Sequence, residues 1–500
     1  MSVFCYSISG YHGHIVAVEV DIRRGLPGID IVGLPGSEIR EAKERMRVAI
    51  RNTGFQFPSG HITVNLSPAD VPKNGVAFDL AIAVAILQTS EQALKDFSDN
   101  LLVLGELKLS GEVDPVKGVI SALSEAVDRG ISCFLIPSEN YQEANALQAG
   151  LIAGIKHLSQ LKENTINFKS PQADQEHVAV SLGPDFSDYY MSNDMYFALQ
   201  IIAGGFHHAL FMGPPGLGKT MAARRIPSLM PPLSISEALE VTRIYSISDL
   251  YKEFNGLIYM RPTRVPHHSA TVEGMIGGGK YIMPGEISLA HNGILILDEA
   301  AEFKAKILQS LREPLEVHEV HISRAAKKYH FPANFQLLLT SNKCPCGNFS
   351  SSTDVCLCTR SELFQYWKKL GAALLDRIDI RIDFKQHIDR RLYSVQELKN
   401  MHENVLRISQ VQEKRYQFEP YRWNSRIPVQ DFKRFCVLDV HSEQFLEKKT
   451  QEHRLTIRGK YSVLRVARTL ADLYHRKNIL KNDIEKALQF RIRDSTLGFL

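Results

Sequence analysis

Gly213-Pro214-Pro215-Gly216-Leu217-Gly218-Lys219-Thr220 has the spacing G-x-x-x-x-G-K-[ST], and it decides the fold class of this 500-residue chain. The apolar run Ala209-Leu210-Phe211-Met212 enters it and Met221-Ala222-Ala223 leaves it, so the motif sits between a strand-like and a helix-like segment. Glycines let the backbone curl round a phosphate, with its N–H groups and the helix N-terminus facing the anion. Residues 213–220 are therefore the candidate nucleotide-binding loop. Lys219 supplies a point charge at the β- and γ-phosphates and Thr220 a hydroxyl for Mg²⁺. A Gly-rich turn would match the glycines by chance; the flanking strand and helix distinguish the two readings.

Downstream, Gly293-Ile294-Leu295-Ile296-Leu297-Asp298-Glu299 is an apolar strand ending in two acids. A buried strand in this position delivers Asp298 to the Mg²⁺ shell, and Glu299 polarises the water that attacks the γ-phosphate. Many strands end in acids, so it is the preceding phosphate-binding loop that selects these roles. A third strand, Phe335-Gln336-Leu337-Leu338-Leu339-Thr340-Ser341-Asn342, stays apolar up to Thr340. Its polar tip, Asn342, either reaches between the acid and the γ-phosphate or is an ordinary strand-ending turn residue.

Between these motifs lies Arg261-Pro262-Thr263-Arg264-Val265-Pro266-His267-His268, then a Gly-rich run from Gly274 to Lys280, then Pro284 to Gly293. Adjacent histidines seldom both face one ion, which argues against a metal site at His267 and His268. The Gly-rich run lacks a following GK[ST] and is no second phosphate loop. A flexible inserted loop is expected, with Lys280 a candidate nucleic-acid contact.

Of seven cysteines, Cys344, Cys346, Cys356 and Cys358 form C-x-C, nine residues, C-x-C. Four thiolates close a tetrahedral Zn²⁺ site and leave no open position for catalysis. The usual knuckle is C-x₂-C, so the alternative is four unligated cysteines. In a chain with no apolar secretion leader, metal precedes disulfides as the reading.

Length implies several domains. A charged fraction of 23% and an apolar fraction of 44% fit a soluble globular protein. No apolar run reaches the roughly 18–20 residues of a membrane span, so a cytoplasmic location and no membrane partner are expected. Residues 385–500 carry 24 Lys and Arg against 14 Asp and Glu, within a chain of net charge +4. That basic segment suits a phosphate-rich partner such as DNA, although a solvated helical surface has the same composition.

The pattern divides the chain into a mixed α/β region over 1–168, a polar linker over 169–188, an α/β core over 189–385 and a helical region over 386–500. Strands are expected at Ile15–Ile22, Ile29–Val32, Ile62–Leu66, Leu101–Leu107 and Cys133–Pro137, and helices from Ser37, over Ala77–Leu87 and over Ser121–Arg129. Asp188–Tyr190 and Tyr196–Ala203 read as a helix ended by Gly204-Gly205. Leu464, Ala467, Leu470, Ala471 and Leu473 give an amphipathic stripe near the C-terminus.

Asn65-Leu66-Ser67-Pro68-Ala69-Asp70, Lys73 to Leu80, and Leu104-Gly105-Glu106-Leu107 through Gly118 resemble the proteolytic domain of Lon-type proteases, as found at the start of the ComM/YifB family. Such proteases need a nucleophilic Ser and a Lys that activates it. Here the Ser position holds Ala77 and the Lys position falls close to Ala122. The resemblance therefore implies a non-proteolytic scaffold or partner-binding domain.

The stretches Arg261 to His268, Pro284 to Gly293, Leu297 to Phe303, Leu311-Arg312-Glu313-Pro314-Leu315-Glu316, Cys344-Pro345-Cys346-Gly347, Leu374-Leu375-Asp376-Arg377-Ile378-Asp379 and Val466 to Leu473 resemble the ComM/YifB branch of AAA+ proteins, relatives of magnesium-chelatase ATPase subunits. The family differs at Ala300-Ala301, Lys343, Thr263 and Val265, none of which removes a functional group. The resemblance implies a multidomain α/β protein with a parallel-sheet AAA+ core and a helical lid. It implies ATP and Mg²⁺ as cofactors, Asn342 as sensor 1 and Arg458 as sensor 2, with Arg465 and Arg468 as alternatives. Arg377 becomes the arginine finger that reaches the γ-phosphate of a neighbouring subunit, unless it is merely paired with Asp376 or Asp379. A finger acting in trans requires a ring, and the family implies a homo-hexamer. It also implies a DNA helicase that promotes branch migration in recombination during natural transformation. A magnesium-chelatase motor subunit, which would begin near the phosphate loop, and an ATP-dependent unfoldase or regulatory module are the alternatives.

Overall fold

The computed structural model describes residues 2–94, 100–162, 166–172, 185–248, 250–251, 254, 256–279, 282–324, 327–349, 355–385 and 389–491. Val3–Ser9 (β1) and His12–Arg23 (β2) form a hairpin, and Gly10 takes the positive φ of 69° that its two-residue turn demands. Gly28–Val32 (β3), Ser37–Asn52 (α1), His61–Ser67 (β4) and Phe78–Thr89 (α2) follow. α1 turns Ile39, Ala42, Met46, Ala49 and Ile50 inward, whereas α2 is buried without a break from Phe78 to Leu87. A helix apolar all round belongs at the centre of a core.

The single strand expected over Leu101–Leu107 is divided into Leu101–Val103 (β5) and Glu106–Leu107 (β6). Between them Leu104 and Gly105 donate their N–H groups to Leu135 O (3.0 Å) and Ala77 O (3.2 Å), which ends the ladder. Val113–Asp114 (β7), Val119–Asp128 (α3), Cys133–Pro137 (β8), Tyr141–Asn145 (α4) and Leu151–Ile155 (β9) complete the region. The sheet order is β3-β4-β2-β1-β5-β8-β9. Ala77 stands at the N-cap of α2 and Ala122 is fully buried in α3, so methyl groups occupy both positions.

The segment read as a linker remains tied to this region at its start. Lys169 and Ile152 exchange two backbone hydrogen bonds (2.9 and 3.0 Å), and Gln172 N–H donates to Asn145 Oδ1 at 2.9 Å. At its far end Phe186 and Tyr189 are buried in the next core, and Asp188–Tyr190 is a turn rather than helix. The helix there is Asn193–Gly205 (α5), capped by the Ser192 hydroxyl. It runs through Gly204-Gly205 and ends at Phe206, whose φ is 58°. A Cβ on Gly205 would lie 2.5 Å from Thr469 Oγ1, so this glycine is required by the approach of a helix from the C-terminal region.

Ala209–Met212 (β10), Lys219–Arg225 (α6) and Ile235–Ile247 (α7) come next. The insert is more ordered than a flexible loop: Thr263–Arg264 (β11) joins the main sheet, and Val272–Ile276 (α8) precedes a hairpin of Gly277–Gly278 (β12) and Met283–Pro284 (β13). Lys280 lies outside the described residues. Glu286–Leu289 (α9), Ile294–Leu297 (β14), Ala305–Ser310 (α10), Pro314–Val317 (α11), the hairpin Glu319–Arg324 (β15) and Lys327–Pro332 (β16), Gln336–Ser341 (β17), Arg360–Lys368 (α12), Ala372–Leu375 (α13) and Ile380–Asp383 (β18) complete this unit. Five parallel strands run in the order β11-β14-β17-β10-β18, so the loop strand β10 is enclosed on both sides.

Val395–Arg415 (α14), Phe432–Phe435 (α15), Val440–Glu452 (α16), Ile457–Leu473 (α17) and Lys481–Arg491 (α18) form the C-terminal region. α17 buries Val463, Leu464, Val466, Ala467, Leu470 and Ala471, each Val or Leu worth about 1.5–3 kcal/mol. The first region is docked onto the second through α7: Gly118 N–H donates to Ser246 O (3.0 Å), and Ser246 donates to the buried Glu143 carboxylate. No helix among the described residues is long and apolar enough to cross a membrane.

Candidate nucleotide site

The site grows from the C-terminal end of the parallel sheet, where α/β sheets place ligands. Gly213, Gly216 and Gly218 take φ values of 150°, 77° and 83°, so the loop curls back on itself before α6 begins. Lys219 Nζ lies inside that curl and donates to Gly213 O (2.8 Å), Pro214 O (2.7 Å) and Asn342 Oδ1 (3.1 Å). Burial pushes the lysine pKa down, opposed by the charges of Asp298 and Glu299. The ammonium is thus held over the loop by neutral oxygens, with its two nearest acids beyond the loop.

Parallel register sets Leu297 beside Leu339, which carries Asp298 to the level of Thr340. Asp298 Oδ1 accepts from Thr340 Oγ1 (2.5 Å) and from Thr220 Oγ1 (2.7 Å). Glu299 adopts a left-handed φ of 51° and donates its N–H to Thr340 Oγ1 at 3.0 Å. Non-glycine residues seldom adopt this conformation, and its side chain is redirected by it. Lys219, Thr220, Asp298 and Asn342 are therefore brought together by hydrogen bonds, with Glu299 held beside them through its backbone. One hydroxyl and one carboxylate oxygen at 2.7 Å form a hard-oxygen pair that fits Mg²⁺, which keeps waters in its remaining positions.

Three supporting residues were missed by sequence reasoning. Thr340 orients both acids, and its position two residues before Asn342 on the same strand face is the signal that could have found it. Tyr189 OH donates to Gly218 O (3.1 Å) and Arg390 Nη1 to Leu217 O (3.0 Å). Both come from outside the motif strands, and no local pattern marks them.

The four cysteines converge, with Sγ atoms all within 4.8 Å of one another. Cys344 is 3.3 Å from Cys346 and 3.7 Å from Cys356, and Phe349 N–H donates to Cys344 Sγ at 3.2 Å. The cluster abuts the phosphate loop, because a Cβ on Gly347 would lie 3.3 Å from Pro215 Cδ. Among the described residues His267 joins no such group; its Nδ1 lies 2.8 Å from Ser269 Oγ.

Arg377 and Arg458 stand elsewhere. Arg377 Nη2 lies 2.5 Å from Glu316 Oε2 and Nη1 donates to Ala373 O, while Arg458 Nη2 lies 2.8 Å from Glu316 Oε1. Among the described residues no hydrogen bond or ion pair joins either arginine to Lys219, Thr220, Asp298, Glu299 or Asn342. The expected pairing of Arg377 with Asp376 or Asp379 is replaced: Asp376 accepts from Arg491 and Thr456, and Asp379 from Ser462. Arg465 donates to Ile427 O, and Arg468 is buried against Asp472.

Family models described as "Magnesium chelatase, subunit ChlI", "Subunit ChlI of Mg-chelatase" and "Magnesium chelatase, subunit ChlI C-terminal" match residues 185–392, 18–140 and 396–491. The uncharacterised protein YifB of Escherichia coli is 35% identical over 498 residues, covering 98% of this chain and 96% of that protein. Competence protein ComM of Haemophilus influenzae is 34% identical over 514 residues, covering 98% and 97%. Lon protease of Trichlorobacter lovleyi is 24% identical over 153 residues, or 29% of this chain and 18% of that protein.

Proposed function

The chain belongs to the ComM/YifB family of magnesium-chelatase-like AAA+ ATPases, and from that premise we propose that it is the subunit of a hexameric DNA motor promoting branch migration in recombination during natural transformation. The observation that carries the ring is the separation of the two arginines from the phosphate loop. Arg377 and Arg458 share Glu316 and, among the described residues, make no bond to those round Lys219 of their own chain. A neighbour's loop gives them an anion to meet. The DNA part rests on the name of the Haemophilus relative, a competence protein, and on the excess of basic residues over 385–500.

In this reading Gly213 to Thr220 wrap the triphosphate, and Lys219 exchanges its loop carbonyls for phosphate oxygens. Thr220 and Asp298 hold Mg²⁺, which neutralises charge on the β- and γ-phosphates. Thr340 keeps Asp298 aimed, and Glu299 orients the attacking water. Asn342, already at 3.1 Å from Lys219 Nζ, reports on the γ-phosphate. Arg377 and Arg458 of the adjacent subunit complete the charge. The four cysteines hold one structural Zn²⁺ that braces the loop through Gly347 and Pro215.

A magnesium-chelatase description also matches residues 18–140, so the presence of that region does not separate a DNA motor from a chelatase subunit. The deciding measurement is the ATPase rate with and without branched or single-stranded DNA, with Lys219→Ala as control. Stimulation lost in the control supports the motor. Absence of both DNA binding and stimulation removes it.

A further inference from the structure

A cavity of about 510 Å³ opens beside the Arg377–Glu316–Arg458 group, between the parallel-sheet unit and α17. Its wall includes Arg426, Arg465, His318 and Ser425. Arg426 donates Nε to Asn334 Oδ1 (2.9 Å) and Nη2 to Phe335 O (2.7 Å), and its Nη1 lies 3.2 Å from His208 Nε2. Arg465 gives Nε and Nη2 to one carbonyl, Ile427 O, at 3.0 and 2.7 Å. Every one of these partners is neutral. Among the described residues no ion pair within 4 Å includes either guanidinium. The wall also carries three carboxylates: Glu316 is taken by Arg377 and Arg458, Asp376 by Arg491 and Thr456, and Asp379 by Ser462 at 2.5 Å and by His207, its charge acting on the two buried arginines without contact.

Buried charges are normally paired, and two like charges with no counter-ion in direct contact destabilise each other. Arg426 shows this: burial, together with the Arg465 charge and against the pull of Asp379, brings its pKa down to about 10. His318 is pushed down to about 3 by burial and by the same two arginines, so it is neutral at pH 7 and offers hydrogen bonds rather than charge. Ser425 is 5% exposed, lines the cavity, and its hydroxyl has no hydrogen-bond partner among the described residues. Two partly buried cations and a donor without an acceptor share one space.

We propose that this cavity is a phosphate-anion site, with Arg426 and Arg465 as its floor, Ser425 as a neutral donor, and Arg377 and Arg458 at its mouth. A tetrahedral oxyanion suits forked guanidinium donors better than chloride does. The site does not depend on the ring, since the two arginines, with no carboxylate in contact with either among the described residues, stand within one chain. Two sources have the required chemistry: free orthophosphate, and a phosphate of the nucleotide held by a neighbouring subunit.

The test is thermal unfolding of the full chain titrated with inorganic phosphate against sodium chloride at equal ionic strength. The phosphate titration is run in a Lys219→Ala background, so that the phosphate loop does not contribute, and the ATP titration is run with the loop intact under assembling conditions. A saturable rise in Tm that survives Lys219→Ala is expected. Adding Arg465→Met is expected to weaken phosphate at least about tenfold, as loss of a charged hydrogen bond does. Should that variant fail to fold, Ser425→Ala, which removes one buried hydroxyl, is expected to weaken it roughly threefold. A shift seen at dilutions where the chain is monomeric assigns free phosphate; one seen only with ATP-assembled chains, and lost with Arg465→Met or Ser425→Ala, assigns the neighbour's nucleotide. A shift with inorganic phosphate that disappears with Lys219→Ala alone, or a shift with either ligand that ignores both cavity substitutions, overturns the site. The DNA-stimulation measurement is unaffected by either result.

Discussion

Nη2 of Arg377 lies 2.5 Å from Oε2 of Glu316, and the other oxygen of that carboxylate takes Arg458 at 2.8 Å. The two arginines, 81 positions apart in the chain, are thus presented as a pair. If a neighbour's γ-phosphate is their ligand, Arg377→Ala should bind ATP and hydrolyse it about 10³-fold more slowly. Mixing it with Lys219→Ala chains should restore activity, because some interfaces then combine an intact loop with an intact arginine. Normal turnover by Arg377→Ala, or a mixture no more active than its parts, refutes the trans assignment.

Glu316 occupies the place a phosphate would take. Its hydrogen bond from Arg377, aided by Arg458, holds its pKa below the usual glutamate range, so it is charged at neutral pH. A half-exposed carboxylate contributes little to stability, yet it competes with an incoming anion. Glu316→Gln keeps the shape and removes the charge. The chain concentration giving half-maximal ATPase should fall by roughly two- to thirtyfold, as expected from losing two ion pairs of about 0.2–1 kcal/mol each. A dose–response series settles it; a rise in the required concentration shows that Glu316 positions the arginines instead.

The phosphate loop and the strand ending at Asp298 were legible because their chemistry is local: glycines at fixed spacing, then an apolar run with an acid at its end. Thr340 was not singled out, because its role depends on which strand pairs with which, and the register of Leu297 beside Leu339 is not written in either strand. β1 and β9 were missed for a related reason: short strands become visible through partners, and β1 lies between strands from two later segments. Glu316 carried no sequence signal as a partner for Arg377, since two aspartates lie closer in the chain. Distance along the backbone misled there, because α11 and the turn after α13 that carries Arg377 meet only once the unit has packed.

Removing metal offers an independent check on the cysteine cluster. Four thiolates within 4.8 Å of one another repel unless a cation or protons intervene. The purified chain should contain about one Zn²⁺, displaced by a thiol-reactive mercurial and read with a zinc-sensitive dye. Cys344→Ser should lower that content and, because Gly347 rests on Pro215, raise KM for ATP more than it lowers kcat. Metal analysis finding none in a chain with intact ATPase would mean that the thiols do not need an ion.

Glu143 makes the docking of the first region pH-dependent. Burial raises its pKa to about 6, against hydrogen bonds from Ser246, Ile120 N–H and Asn140 that favour the charged form. In the unfolded chain it titrates near the usual glutamate value of 4.5. Between those values the folded state binds more protons than the unfolded one, so stability falls as pH rises. The effect should be complete once the pH has passed about 6, and it corresponds to about 2 kcal/mol. Glu143→Gln keeps an oxygen acceptor for Ile120 and Ser246 but cannot titrate. Denaturant unfolding from pH 4.5 to 7.5 should therefore show a downward step in the wild type that is flattened in the variant. An identical profile in both proteins would place the responsible proton elsewhere.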